Sequence, residues 1–383
     1  FGQGSGSILS RHLGRQDVEQ ATEIASSGFF GALFTSIIVE IICFWRLDDL
    51  VIALGSTETI VPYAKTYITY ILLAAPFVTT SFTMNNLLRY EGKAALGMIG
   101  LLAGALLNII GDPIFMFVFD MGIAGAGLST ALSQVVGFCI LLWMFLRGKT
   151  QSRISWKCIS KSSWKWFNLV SSGFPSLLRN GLTSFTTVLL NSLSAAYGDA
   201  AVAAMSIVSR IAMFIFSIAL GVGQGFQPVS GFNFGAGKYS RVRKAYRYTF
   251  FLSEVLLAVL SIGVMIASGY LIRLFRDDLT VIELGTRALR LQCIALLFLP
   301  FCMVTEMLMQ STGQKLWATI LSATRSGLFF IPALWILSNL RGMSGIQEAQ
   351  PLAYVLSCIP SAYCAVRFFQ VLPRTDRPDG ENG

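Results

Sequence analysis

Apolar residues recur along this chain in runs of about 18 to 25, separated by short polar gaps, the length a helix needs to cross roughly 30 Å of hydrocarbon. The pattern predicts helices over 23–45, 63–86, 94–117, 122–146, 166–196, 200–229, 244–269, 284–309, 315–338 and 350–372. A shorter apolar fragment covers 1–10. The expected fold class is therefore an all-α integral membrane protein with about ten spans plus that fragment. No stretch is left over for a sizeable soluble domain.

The runs are duplicated. Gly2-Gln3-Gly4 recurs as Gly223-Gln224-Gly225, 221 residues on. The same shift carries Gly14 to Gly235, Phe29-Phe30 to Phe250-Phe251 and Gly92 to Gly313. One ungapped offset over so long a stretch marks an internal repeat. The second copy starts near Trp166, about two helices ahead of its Gly-Gln-Gly, whereas the first copy starts at Phe1 rather than at a methionine. The expectation is an N-terminally truncated chain: two six-helix lobes, about twelve helices when complete. An even number of helices per lobe makes the lobes parallel repeats about an axis along the membrane normal. The expected segments are an N-terminal lobe (1–146), a cytoplasmic linker (147–165), a C-terminal lobe (166–372) and a cytoplasmic tail (373–383).

Composition supports this reading: 54% of residues are hydrophobic, only 13% are charged, and mean hydropathy is +0.65. The net charge of +9 gathers in the gaps between runs, with no single basic face of the kind that binds nucleic acid. Most of the 29 lysines and arginines fall on one side, including the linker and the turns after both Gly-Gln-Gly helices. That side is expected to be cytoplasmic. His12 is the only histidine, so His-based zinc sites and Ser-His-Asp catalysis are excluded. The seven cysteines lie mostly inside apolar runs without Cys-x-x-C spacing and are expected to be reduced packing residues.

The stretch "GVGQGFQPVSGFNFGAGK" (221–238) invites a phosphate-loop reading. A Walker A loop needs Gly-x-x-x-x-Gly-Lys-Ser/Thr between a strand and a helix. Here Phe232 stands where the first glycine should be and Tyr239 where the Mg²⁺-binding hydroxyl should be. Small residues at a helix end, letting two backbones approach, explain both copies better. With no nucleotide motif, an ion gradient is the expected driving force, and no ATPase subunit is expected.

Polar stripes run down several apolar helices. Ser176, Asn180, Thr183, Thr187, Asn191 and Ser194 share one face of 166–196, with Arg179 beside them. Ser206, Arg210, Ser217, Gly221, Gln224 and Pro228 repeat the pattern on the next helix, and Pro76, Thr79, Thr80, Thr83 and Asn86 on 63–86. Individual hydroxyls and amides there are commonly helix-to-helix glue. Arg179, Arg210 and Arg325 are different, because a guanidinium at membrane depth costs about 2.5 to 3.5 kcal/mol and needs a polar cavity or a partner. They either pair with Glu40, Glu254 or Glu306, or act directly in transport. A carboxylate that exchanges Na⁺ or a proton for a cationic substrate is what an antiporter requires. Glu254 and Glu306 are the leading candidates, and a Na⁺ site near them is possible on this reading. No other cofactor is expected.

The segments "NNLLRYEGKAALGMIGLLAGALLNIIGDPIF" (85–115) and "MGIAGAGLSTALSQ" (121–134) in the first half resemble the multidrug and toxic compound extrusion (MATE) family. So do "GFPSLLRNGLTSFTTVLLN" (173–191) and "GQGFQPVSGFNFGAGKYSRVRKA" (223–245) in the second. The resemblance covers nearly the whole chain and implies a non-enzymatic transporter of the bacterial cytoplasmic membrane. Such a protein exports organic cations or amphipathic compounds in exchange for Na⁺ or H⁺, by rocking two lobes about a central cleft. The acid that many members carry on the first helix would fall in the missing segment. The acid that some carry on the first helix of the second lobe has no match here, and Arg179-Asn180 resembles one bacterial subgroup instead. The main alternative is a lipid-linked saccharide flippase of the same superfamily. A prenyltransferase would need Asp-rich motifs, and Asp48-Asp49 and Asp277-Asp278 are isolated pairs at helix ends. An ABC-type permease would need motifs that are missing.

Overall fold

The computed structural model describes residues 1–53 and 59–377, and every regular element among them is helical. The chain divides into two compact units, Phe1–Gly173 and Phe174–Gly383. The first contains α1 (Gly2–Gly14), α2 (Val18–Trp45), α3 (Leu47–Ala53), α4 (Val61–Tyr90), α5 (Ala94–Pro113) and α6 (Gly122–Leu146). Residues 147–162 carry one 3₁₀ turn and lead to α7 (Ser163–Ala195), within which the division between the two units falls. The second unit continues with α8 (Asp199–Gly235), α9 (Tyr239–Ile266), α10 (Ser268–Phe275), α11 (Leu279–Leu296) and α12 (Leu299–Ser311). It ends with α13 (Lys315–Ala323), α14 (Phe330–Arg341) and α15 (Met343–Val371).

Eight helices among the described residues are long and apolar enough to cross a membrane, or nine if α11 and α12 form one bent span. The protein is thus an all-α, multi-pass membrane fold. At 33 residues α7 has the length, but its polar stripe and Arg179 keep it out of that apolar set.

The duplication read from glycines extends to the element boundaries. A shift of 221 residues carries α2 onto α9 end for end, the end of α1 onto the end of α8, and the starts of α3, α5 and α6 onto those of α10, α13 and α15. Turn geometry repeats as well. Gly92 and its equivalent Gly313 both take the left-handed conformation, φ +79° and +85°, that closes a helical hairpin at no steric cost. Close packing repeats with changed chemistry. A Cβ on Gly2 would stand 2.8 Å from Asn86 Nδ2, and one on Gly223 would collide with Met307 Sδ, where Met307 is the equivalent of Asn86.

Each unit has its own core. Leu9, Phe29, Met84, Leu87, Leu88 and Leu141 bury together in the first, Phe226, Leu257, Leu296, Met303, Met307 and Leu308 in the second. Backbone approach supplements side-chain packing, as it must between helices bathed in lipid. A Cβ on Gly137 would lie 2.9 Å from Gly100 O, so α5 and α6 meet through glycines.

Two expected helices are interrupted. The segment 284–309 breaks after Leu296 and resumes at Leu299 with a 47° bend. Pro300, in the first turn of α12, has no N–H for a helical bond, and its ring would clash with the carbonyl of Leu296. The segment 315–338 opens into a π turn over Thr324–Leu328, where Phe329 N–H bonds to Thr324 O at 3.0 Å. The cysteines are all free thiols, though Cys139 is exposed rather than buried.

Candidate functional site

Helix α12 is the buried axis of the second unit: of its residues only Phe301 is not buried. An apolar helix so enclosed is easily satisfied, yet this one carries Thr305, Glu306, Gln310 and Ser311, all at most 2% exposed. Buried polar groups need partners, and a buried carboxylate needs a cation.

Glu306 has two. Arg179 Nη1, from α7, donates to Glu306 Oε1 at 2.7 Å, and Ser322 Oγ, from α13, donates to the same oxygen at 2.6 Å. Arg325 Nη2 lies 3.7 Å from Oε2. Arg179, Glu306 and Arg325 are 8%, 1% and 4% exposed. The triad therefore holds a net charge of +1 inside the unit. Arg325 belongs to the π turn, a type of bulge frequent at functional sites because it re-aims a side chain out of helical register. Its guanidinium also lies over the ring of Phe216, 5.5 Å from the centroid.

Neutral hydrogen bonds extend the cluster along α12. Gln310 Nε2 donates to Ser176 Oγ at 2.9 Å, and Gln227 Nε2 donates to Gln310 Oε1 at 3.0 Å. Ser230 and Ser311 share a 2.6 Å bond, and Tyr246 and Thr305 one of 2.9 Å. Helices α7, α8 and α9 are each tied to α12 by a side-chain bond. The repeat shows that helical packing alone does not demand this arrangement. The equivalents of Glu306 and Arg325 in the first unit are Asn85 and Gly104, and a Cβ on Gly104 would stand 3.1 Å from Ser133 O.

Of the residues singled out in the sequence, Arg179, Glu306 and Arg325 come together, and Ser176 joins their cluster through Gln310. Asn180, Thr183 and Thr187 form an exposed row on α7 with Asn191 half-buried, and the hydroxyls of Thr183 and Thr187 bond back to Arg179 O and Thr183 O at 2.8 Å. Arg210 is exposed on α8, with no hydrogen bond or ion pair among the described residues. Gln224 is half-buried on the same helix. Glu254 on α9 and Glu40 on α2 are half-buried, again with no hydrogen bond or ion pair among the described residues. In the first unit Thr83 is buried and bonds to Thr79 O at 3.0 Å, while Asn86 donates to Phe82 O at 2.7 Å and accepts from Arg89 at 2.6 Å. Among the described residues no group of three or more His, Cys, Asp or Glu is placed to hold a metal ion. Ser322, Gln227 and Gln310 escaped the sequence reading. Their signal was an amide or hydroxyl inside an otherwise apolar run, which many unconnected residues share.

The MatE family model matches residues 1–114 and 175–336. The chain belongs to the MatE family. Among MatE relatives, it is 30% identical over 346 residues to the multidrug export protein MepA of Staphylococcus saprophyticus, covering 90% of this chain and 76% of that protein. Among solved MatE structures, it superposes on an outward-facing multidrug resistance MATE family transporter of the MOP superfamily with a TM-score of 0.90 at 24% identity. That match covers 96% of this chain and 83% of the other. The Vibrio cholerae MATE transporter VcmN in its bent form gives a TM-score of 0.88 at 21% identity, covering 96% and 84%. At these identities the structural likeness is one of fold.

Proposed function

We propose that this MatE chain is a secondary active exporter of the bacterial cytoplasmic membrane, carrying organic cations or other amphipathic small molecules outward in exchange for Na⁺ or H⁺. The observation that carries the reading is the match to a multidrug export protein over 90% of the chain. Export proceeds by alternating access between two six-helix lobes, 1–146 and 166–372, related as parallel repeats and joined by the cytoplasmic linker 147–165, with about twelve helices in the complete transporter.

Within that scheme the charged residues divide the work. Glu306 is committed to Arg179, Arg325 and Ser322, so it braces the second lobe instead of exchanging ions. Glu254 is the better coupling group, because a half-buried carboxylate with no cationic partner is available to Na⁺ or a proton. The exposed row Asn180, Thr183 and Thr187, with Arg210, Gln224 and Asn191, lines the substrate path, and Thr83, Asn86 and Glu40 contribute from the first lobe. The test is efflux of a fluorescent cation from vesicles under imposed Na⁺ or pH gradients, with and without ATP. Gradient-driven efflux that Glu254→Gln abolishes supports the scheme. Efflux that requires ATP and ignores both gradients overturns it, and lipid-linked saccharide translocation without cation efflux would make the chain a flippase.

A further inference from the structure

A groove of about 540 Å³ runs along the second unit between α9, α12 and α15, walled by Tyr246, Phe301, Ala362, Val366 and Phe369. Its chemistry changes from one end to the other. Val355, Ile359, Ala362, Val366 and Gln370 form an exposed stripe on α15 at spacings of 4, 3, 4 and 4, apolar until its last member. Arg374, one further step along, closes the same groove. The side chain of Arg374 has no hydrogen bond or ion pair among the described residues.

Arg374 lies beyond the end of α15, where a chain would ordinarily fray. It is held in place by a strap. Arg243 donates to Leu372 O at 2.7 Å and Pro373 O at 3.1 Å, Ser240 N–H donates to Asp376 Oδ1 at 2.8 Å, and Arg377 N–H donates to Gly237 O at 3.1 Å. Residues on both sides of Arg374 are thereby fixed to the α8–α9 turn and the start of α9.

From this geometry we infer that the groove is a binding site for an anionic phospholipid, with an acyl chain along the apolar walls and the phosphate at Arg374 and Gln370. An apolar slot ending in a free guanidinium at the basic rim of a membrane protein matches such a lipid in both shape and charge. A cationic amphiphile would meet Arg374 unfavourably, and a zwitterionic lipid would forgo the charge gain. The inference does not depend on the transport reading.

Native mass spectrometry of the detergent-purified protein, titrated with phosphatidylglycerol and phosphatidylcholine of identical chains, tests it. One arginine at a membrane surface corresponds to about five-fold in affinity, so phosphatidylglycerol should bind at least about five-fold more tightly. Arg374→Gln should reduce it to the phosphatidylcholine level. Ala362→Phe, at an exposed position that disturbs no packing, should weaken both lipids by filling the slot. Equal binding of the two lipids, or an undiminished preference in Arg374→Gln, overturns the proposal. Displacement of the lipid by inorganic phosphate alone would also overturn it, because the site would then be one for phosphate.

Discussion

Glu306→Gln keeps the shape of the side chain and removes its charge, leaving Arg179 and Arg325 buried with no counterion. The two ion pairs, at 2.7 and 3.7 Å, each carry about 4 to 6 kcal/mol of gross attraction at an effective dielectric of ~20. Much of that offsets the desolvation of three charges, so the intact triad adds little net stability. Loss of its single anion is another matter, because the cluster moves from a net charge of +1 to +2 while its burial stays the same. Removing one partner of a buried pair costs about 3 to 5 kcal/mol. At about 2 to 4 °C per kcal/mol for a unit of this size, the midpoint should fall by on the order of 10 °C. Fluorescence-detected size exclusion after heating reads this directly in detergent. The triple substitution Arg179→Met, Glu306→Met, Arg325→Met should melt close to the parent, since the cost comes from uncompensated charge. A Glu306→Gln protein that melts within about 2 °C of the parent would refute the bracing role, and the carboxylate would again be free for ion exchange.

Further expectations concern other parts of the fold. Gly4→Ala should destabilise by about 1 to 3 kcal/mol, because its Cβ would collide with Leu169 O, whereas Gly225→Ala, its equivalent in the second repeat with open space around it, should be neutral or gain about 0.5 to 1 kcal/mol; paired melting curves check both. Cys302 and Cys358, with Sγ atoms 3.6 Å apart, should join on treatment with diamide, which takes up the two electrons and two protons released. A protease site inserted at Gly313 and a non-reducing gel would show the two fragments still linked, and separate fragments would count against the contact. Ser240 Oγ and N–H hold the Asp376 carboxyl below its usual range. Since the folded value is the lower one, the strap's contribution is present above about pH 4 and fades as pH falls through that lower value. Limited proteolysis should release the 372–377 segment faster in acid than at pH 7, and Ser240→Ala, which keeps only the backbone N–H bond to Asp376, should reduce the difference.

Much of this architecture was legible in the residues. Apolar runs located the spans, and repeated glycines revealed the offset that also aligns the helix boundaries, because left-handed turns restrict residue choice. The break after Leu296 was not legible, since Leu297 and Phe298 continue the apolar run and Pro300 alone is compatible with a kink or a stop. The π turn left no mark for a different reason: Thr324, Arg325 and Ser326 read as one more polar patch on a continuous helix. At the site, residue types were informative and pairing was not: three arginines and three glutamates at membrane depth allow many matches, and only the path of α12 decides that Glu306 meets Arg179 and Arg325 while Glu254 does not. The tie between Gln310 and Gln227 joins residues 83 positions apart, beyond the reach of any local pattern.

The paired contacts Gly2 with Asn86 and Gly223 with Met307 carry an evolutionary consequence. Both copies keep glycine on one side of the crossing point and differ on the other, an amide in one and a thioether in the other. Volume at that point behaves as a shared quota. A lineage that acquires a methyl group at 223 must shorten the side chain at 307, in that order or the reverse, or lose the crossing. Positions 223 and 307 should therefore covary in size across descendants even where neither touches a substrate, and positions 2 and 86 should do so independently.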